Sequence, residues 1–295
     1  MASPRSILNR RRAVRNIRAV TRTMEMASVA QYQRVRQLDD GVRPALEQVE
    51  RMLTELAPRL ATMDHPFLRG GQGTTCAVVI PTSDRGLCGD YNNTIMEVAR
   101  LVAEDLLSKQ RRVEPYVLGH RGLARIRRDL ADDPETPIGE PYKTHDEFRE
   151  SELRERVAEI AGELMARVGT GELAAAYIVY ARMVGAVATG QVATLLPLAP
   201  QTDEPLPGDQ TECDFIPSAE AVIEELLPLA VRLRLLACFL DSHAAEHASR
   251  MTAMRAATGN ADDMIAELTR QVGRARRDRI TAELAEIFSG AEALT

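Results

Sequence analysis

The sequence predicts an α/β fold combined with a long antiparallel coiled coil, its N- and C-terminal helices paired around a small, mainly parallel α/β domain. Three observations carry this. Apolar residues recur at alternating steps of three and four near the N-terminus, and they do so again toward the C-terminus. Between these segments, β-branched runs alternate with helical ones. Composition agrees: the 295 residues are 45% apolar but only 4% aromatic, with no Trp. Compact cores lean on aromatics for buried area, whereas narrow Leu/Val/Ala/Met seams between helices do not.

In the first segment, 1–60, the stepped positions are Ile7, Arg10, Val14, Ile17, Thr21, Met24, Ser28, Gln31, Val35, Leu38, Val42, Ala45, Val49, Met52 and Leu56. The seam is firmly apolar at both ends and polar in the middle, at Thr21, Ser28 and Gln31. Pro58 marks a stop. Pro44 is expected to kink or break the helix, because a proline inside a helix removes a hydrogen bond. Between Arg5 and Arg36 lie nine Arg and a single acid, Glu25, against a net charge of −6 for the whole chain. Such a stretch could be an organelle leader, a nucleic-acid-binding arm or a cationic helix facing an acidic partner. The seam favours the last, since a removed or disordered leader has no reason to keep heptads.

The middle segment, 70–205, contains four strand-like runs, "TTCAVVIPT", "VEPYVLG", "AAAYIVYARM" and "GQVATLLPL". They alternate with the helical patterns "YNNTIMEVARLVAEDLLSK", "GLARIRRDL" and "ESELRERVAEIAGELMARV", which argues for a mainly parallel sheet. "APQTDEPLPGDQTECD" is a linker or surface loop. In the last segment, 213–295, the seam passes through Val222, Leu226, Leu229, Leu233, Leu236 and Leu240. It continues through Met251, Met254, Ala261, Leu268, Val272 and Ala275, and Pro228 is expected to set its start later.

Sites for chemistry are scarce. "SDRGLCGDYN" falls between a strand and a helix, where a phosphate loop would lie, but Gly86 and Gly89 are too sparse for a dinucleotide fingerprint. There is no P-loop, and the sequence holds no Gly-Lys pair. A tight turn is the simpler reading. His243 and His247 share a helical face near Asp241 and Glu246, yet no third ligand cluster accompanies them, so no metal is expected. Cys76, Cys88, Cys213 and Cys238 show neither C-x-x-C pairing nor a disulfide framework and read as free thiols. No partner His or Asp can be nominated to make Cys88 a nucleophile. No catalytic residue, cofactor or metal is assigned, and neither a membrane span nor a secretory h-region is present.

Taken together, these stretches resemble the gamma chain, the central rotor shaft, of rotary F-type ATP synthases. "VTRTMEMASVAQYQRVRQ" is similar to that family's N-terminal helix signature, and "SDRGLCGDYN" to its Asp-[Arg/Lys]-Gly-Leu-Cys-Gly-x-[Phe/Tyr]-Asn turn. "SHAAEHASRMTAMRAATGNADDMI" and "RRDRITAELAEIFSGAEAL" are similar to its C-terminal helix. The resemblance implies a non-catalytic subunit that couples ion translocation to ATP synthesis. Its implied partners are the alpha and beta subunits, an epsilon-type stalk subunit and the c ring, with no nucleic acid and no lipid insertion. The implied place is the cytoplasmic face of a bacterial plasma membrane, as a peripheral part of the F1 sector.

Carried over, the beta-subunit contacts fall at Arg22, Met24, Glu25, Arg276, Arg277, Thr281 and Glu283. The family turn falls at Gly86, Leu87, Cys88, Gly89 and Asn92, and the c-ring side at Phe215, Ile216 and Pro217. The chain departs from the pattern where Arg277 replaces a Gln, Gly273 an Asn and Ile216 a Glu, and where Ala181 and Met183 alter the "YIVYARM" strand. Those departures would suit a divergent synthase or, alternatively, the shaft of an ATP-driven ion pump. A more distant alternative is a basic coiled-coil protein that binds nucleic acid.

Overall fold

The computed structural model describes residues 4–60, 63–141, 143–145, 150–185, 187–198 and 218–292. In chain order the elements are α1 (Pro4–Glu55), α2 (Ala57–Leu60), α3 (Pro66–Arg69), β1 (Thr75–Pro81), α4 (Tyr91–Ser108) and β2 (Arg112–Leu118). They continue with α5 (His120–Asp132), β3 (Lys143–His145), α6 (Glu150–Gly169), β4 (Leu173–Val184), β5 (Val187–Leu196) and α7 (Ala219–Glu292). The chain forms two compact units, Met1–Val29 with Arg250–Thr295, and Ala30–Ser249. The structure is mainly helical with a small mixed sheet and long terminal helices, as the sequence predicts.

In the Ala30–Ser249 unit the sheet order is β3-β2-β1-β4-β5. All neighbours are parallel except β4 and β5, which form an antiparallel hairpin. β1 is apolar and β-branched on both faces, and Cys76 through Pro81 are all buried. That is what a central parallel strand covered by helices requires. One face packs Cys76, Val78 and Ile80 against Ile95, Met96 and Ala99 of α4 and Ile126 of α5. The other packs Ala77, Val79 and Ile178 against Ile160 and Leu164 of α6, Val42, Leu46 and Val49 of α1, and Leu227, Val231 and Phe239 of α7. Two features escaped the sequence pattern. β3 is three polar-flanked residues with no periodicity to detect, and β5 turns back on β4 through Gly185 at φ +64°.

Neither proline breaks its helix. α1 continues through Pro44 and α7 starts at Ala219 and passes Pro228. The carbonyls that each proline leaves without a helical donor belong to Asp40 and Glu224, both on exposed turns. Water can serve them, so the cost is only one missing bond each.

The N-terminal seam is also corrected. From Val14 onward every seventh position is buried as the spacing predicts: Val14, Thr21, Ser28, Val35, Val42, Val49 and Leu56. The positions between them lie one residue later than the spacing suggested. Asp39, Leu46, Leu53 and Leu60 are buried, whereas Ala45 is exposed, Leu38 and Met52 are half-buried, and Ile17 is 56% exposed. A heptad can be split three-then-four or four-then-three, and apolar neighbours at 45–46 and 52–53 satisfy both splits. Which one is used depends on the face presented to the rest of the fold. In α7, Leu226, Leu240, Met254, Ala261 and Leu268 are buried as expected, but Leu229 is 42% exposed.

Candidate functional site: the paired terminal helices and the β1–α4 turn

In the unit formed by 1–29 and 250–295, α1 and α7 run antiparallel, since contact partners fall in number along α7 as they rise along α1. Arg18 pairs with Asp262, the Thr21 hydroxyl meets the Thr258 hydroxyl at 2.8 Å, and Arg255 donates to Glu25 at 2.9 Å. Val14, Ala261 and Leu268 form an apolar cluster with Ile7 and Ile265 packed on it. At Thr21 and Ser28 the polar middle of the seam is therefore buried but satisfied, whereas the Gln31 Oε1 is buried without a hydrogen-bond partner among the described residues. Thr21 also reaches the Arg18 carbonyl and Thr258 the Met254 carbonyl, while Ser28 donates to the Met24 carbonyl. One threonine can donate across while the other donates to its own helix, so neither oxygen is left alone.

The carried-over contact residues scatter over this unit rather than converge. Arg22, Arg276 and Arg277 are exposed, and Met24 is half-buried. Glu25 is committed to Arg255. Thr281 donates to the Arg277 carbonyl at 3.0 Å, and Glu283 accepts from Arg279 at 2.7 Å. Continuing the helix register, α1 begins opposite the Arg276 region. Past it, α7 exposes Ile280, Leu284 and Ile287 at 47%, 50% and 66%. Their spacing of four and three places them on one face. Phe215, Ile216 and Pro217 lie outside the described residues, as does Cys213.

In the Ala30–Ser249 unit, "SDRGLCGDYN" is a structural joint. The Asn92 amide accepts from the Ser83 backbone at 3.0 Å and donates to the Ser83 hydroxyl at 2.8 Å and to the Cys88 sulfur at 3.2 Å. The Ser83 hydroxyl donates to the Arg85 carbonyl at 2.8 Å, and the Asp84 carboxylate accepts from the first amide of α5, His120, at 2.9 Å. Gly89 turns the chain at φ +59°, and a Cβ on Gly86 would meet the Arg121 guanidinium at 2.7 Å. Leu87 holds φ +65° and is 61% exposed. The amide of Ser83 is spent on Asn92, and the amide of Arg121 on the Ser83 carbonyl. The turn thus fastens β1, α4 and α5 to one another.

Sequence reasoning missed the residues that tie this joint to the long helices. Tyr91, at the start of α4, meets the Ser242 hydroxyl of α7 at 2.9 Å, and Ser242 also accepts from the Ala181 backbone of β4 at 3.3 Å. Arg43 of α1 donates to Asp39 at 3.1 Å and to Asp241 of α7 at 2.8 Å. Burial alone would lower the Arg43 pKa, but Asp39 and Asp241 raise it above its ordinary value. Arg234 of α7 donates to Glu50 at 2.8 Å and to the Thr194 carbonyl of β5 at 3.2 Å. Asp241, considered beside His243 and His247 as a metal ligand, is instead a partner of Arg43. The two imidazole centroids lie 6.5 Å apart, and among the described residues no group of three His, Cys, Asp or Glu could hold a metal. Only the size of the buried polar set, not its pattern, could have signalled these ties.

A family model described as ATP synthase matches residues 3–294. The ATP synthase gamma chain of Cereibacter sphaeroides is 34% identical over 299 residues, covering 100% of both chains. That of Dinoroseobacter shibae is 33% identical over 300 residues, again covering 100% of both. Among solved structures, a chain of the Euglena gracilis mitochondrial ATP synthase (OSCP/F1/c-ring, rotational state 3) superposes with a TM-score of 0.61 at 15% identity, covering 99% of this chain and 94% of that one. A chain of the Tetrahymena thermophila central stalk and c ring gives 0.54 at 18% identity, covering 81% and 99%. These two show the shared fold. With matches along its full length, the chain belongs to the ATP synthase gamma-chain family, the rotor subunits of the central stalk.

Proposed function

We propose that this chain transmits torque between a membrane c ring and an alpha3-beta3 catalytic hexamer, coupling ion translocation to ATP synthesis, and that it carries no catalytic group itself. The observation that carries the reading is the antiparallel pairing of α1 with α7 through Arg18–Asp262, Thr21–Thr258 and Glu25–Arg255. Paired polar contacts in a coiled-coil seam fix register, and a shaft needs a fixed register to turn as one body. In the Ala30–Ser249 unit, Ser242 and Arg234 of α7 bond to β4 and β5 respectively. Force on the sheet domain therefore has hydrogen-bonded routes into α7.

On this reading Arg22, Met24, Glu25, Arg276, Arg277, Thr281 and Glu283 face beta-subunit loops, with exposed Ile280, Leu284 and Ile287 adding an apolar surface. The residues Phe215, Ile216 and Pro217 would lie toward the c ring, and an epsilon-type subunit would join the stalk. The assembly would sit on the cytoplasmic face of a bacterial plasma membrane. Its attachment would be peripheral; the described residues contain no helix long and apolar enough to cross a membrane.

Affinity purification of the tagged chain from mildly solubilised native membranes tests this. Alpha and beta subunits at three of each per tagged chain, together with c subunits, are the expected result. Recovery of the chain alone, or with nucleic acid, would overturn the proposal.

A further inference from the structure

We propose that the trough between α1, α6 and α7 is a binding site for an anionic amphiphile, a carboxylate carrying an unbranched acyl chain. The trough lies wholly within the Ala30–Ser249 unit and has a volume of about 370 Å³. That is in the lower part of the range of small-molecule pockets, roughly 300–1,000 Å³. Its walls are Val42 of α1, Val157 of α6, and Leu233 and Leu236 of α7. At Gly41 no side chain fills the space, and an added Cβ there would meet nothing within 4 Å.

Arg154 and Arg232 line the same trough, and their charge selects the occupant. Neighbouring arginines on these three helices are spent: Arg43 on Asp39 and Asp241, Arg156 on Glu159, and Arg234 on Glu50. Arg154 and Arg232 are exposed and have no acidic or hydrogen-bonding partner among the described residues. Two guanidinium groups with no counter-ion among the described residues, beside an apolar trough, complement a ligand with an acidic head and a flexible apolar tail. A carboxylate matches the guanidinium fork, and an acyl chain gains from every methylene it removes from water. A cationic amphiphile of equal length would be repelled, and a neutral one would lack the charge-assisted bond.

The test is calorimetric titration of decanoate into the full-length chain, below the surfactant's aggregation threshold. The expected result is a single saturable site. Arg154→Gln and Arg232→Gln should each weaken it about tenfold, the scale of one lost charge-assisted hydrogen bond. Gly41→Leu should abolish binding by filling the trough, with the circular dichroism and melting temperature of the chain retained. Decanol should bind more weakly than decanoate, and decyltrimethylammonium should not bind. Absence of saturable binding, equal binding of the cationic amphiphile, or full affinity in the Arg154→Gln/Arg232→Gln variant would each overturn the assignment. Because the readout is on the chain itself, the outcome is independent of whether it assembles as a rotor.

Discussion

Tyr91 and Ser242 meet hydroxyl to hydroxyl at 2.9 Å although 151 positions separate them in the chain. Both are buried, Ser242 completely. Ser242 also accepts from the Ala181 amide, and Tyr91 lies 3.3 Å from the Pro81 carbonyl. Removing Ser242 therefore strands the buried Ala181 amide, although the Tyr91 hydroxyl keeps the Pro81 carbonyl, whereas removing the Tyr91 hydroxyl leaves Ser242 its backbone donor. Ser242→Ala should cost about 2–3 kcal/mol and Tyr91→Phe about 1 kcal/mol, because a buried unsatisfied group costs more than a lost net bond. Urea unfolding midpoints would rank the two, and a larger loss for Tyr91→Phe would contradict this assignment of partners.

Arg43 stands between two nearly buried carboxylates, Asp39 and Asp241, whose side chains are 4% and 10% exposed. Arg43→Met would leave both without their bridging cation, although Arg36 still reaches Asp39 and Arg182 approaches Asp241 at 3.8 Å. Breaking a buried pair from one side costs about 3–5 kcal/mol. Those residual partners set the expectation at the lower end. Adding Asp39→Leu and Asp241→Leu should restore much of the loss, which chemical denaturation of the single and triple variants would measure.

This cluster also shows where the sequence was legible. The terminal helices, their apolar anchors at heptad intervals and four of the five strands follow from spacing alone, because burial on one face imposes a period. The tight turn was recognisable from "SDRGLCGDYN", and its compact hydrogen bonding explains why Gly86, Gly89 and Asn92 occur together. Asp39 could not be placed in the core by period, since an acid on a seam reads as an error until its cation is found one helical turn away and across to α7. The one-residue correction from Leu38 to Asp39 has the same origin. A pattern gives the anchor, but the partner surface decides which neighbour turns inward.

Burial silences the thiols. Cys238 is pushed up to about 12, chiefly by burial and then by Asp241, and Cys76 is raised by burial despite nearby Arg111. Cys88 is 2% exposed. Thiolate is the reactive form, so Cys76, Cys88 and Cys238 should remain unmodified by iodoacetamide at pH 8 in the folded chain and react together on denaturation. Peptide mapping by mass spectrometry reads this directly.

Glu172 gives the α/β domain an acid-sensitive element. Its hydrogen bond with Arg167 lowers its pKa below the usual carboxylate value. A group with a lowered folded pKa contributes stability that is present above its unfolded pKa and lost as pH falls through the folded one. The wild-type chain should therefore lose stability from about pH 4.3, the ordinary Glu value, downward. Glu172→Gln should be less stable at neutral pH and show a shallower decline below pH 4. Thermal unfolding across that range distinguishes the slopes.

The last test concerns the register of the helix pair. Thr21 and Thr258 are 8% and 7% exposed, and each hydroxyl also reaches a carbonyl of its own helix. Replacing one by Val leaves the other able to donate to its own helix, so each single change should cost only about 0.5–1.5 kcal/mol. Replacing both exchanges a polar contact for an apolar one of similar shape and should cost less than the two singles combined. The double-mutant cycle should therefore report a coupling of about 0.5 kcal/mol or more, as expected for touching residues. Stability and register need not move together. Arg18–Asp262 and Arg255–Glu25 flank the pair on either side, and they hold the alignment when the hydroxyls are gone. A disulfide between Cys residues introduced at 21 and 258 should form readily in the otherwise unchanged chain, since the two positions already face each other. Failure of that cross-link under oxidation, or a cycle with no coupling, would mean that the two threonines are not paired in solution.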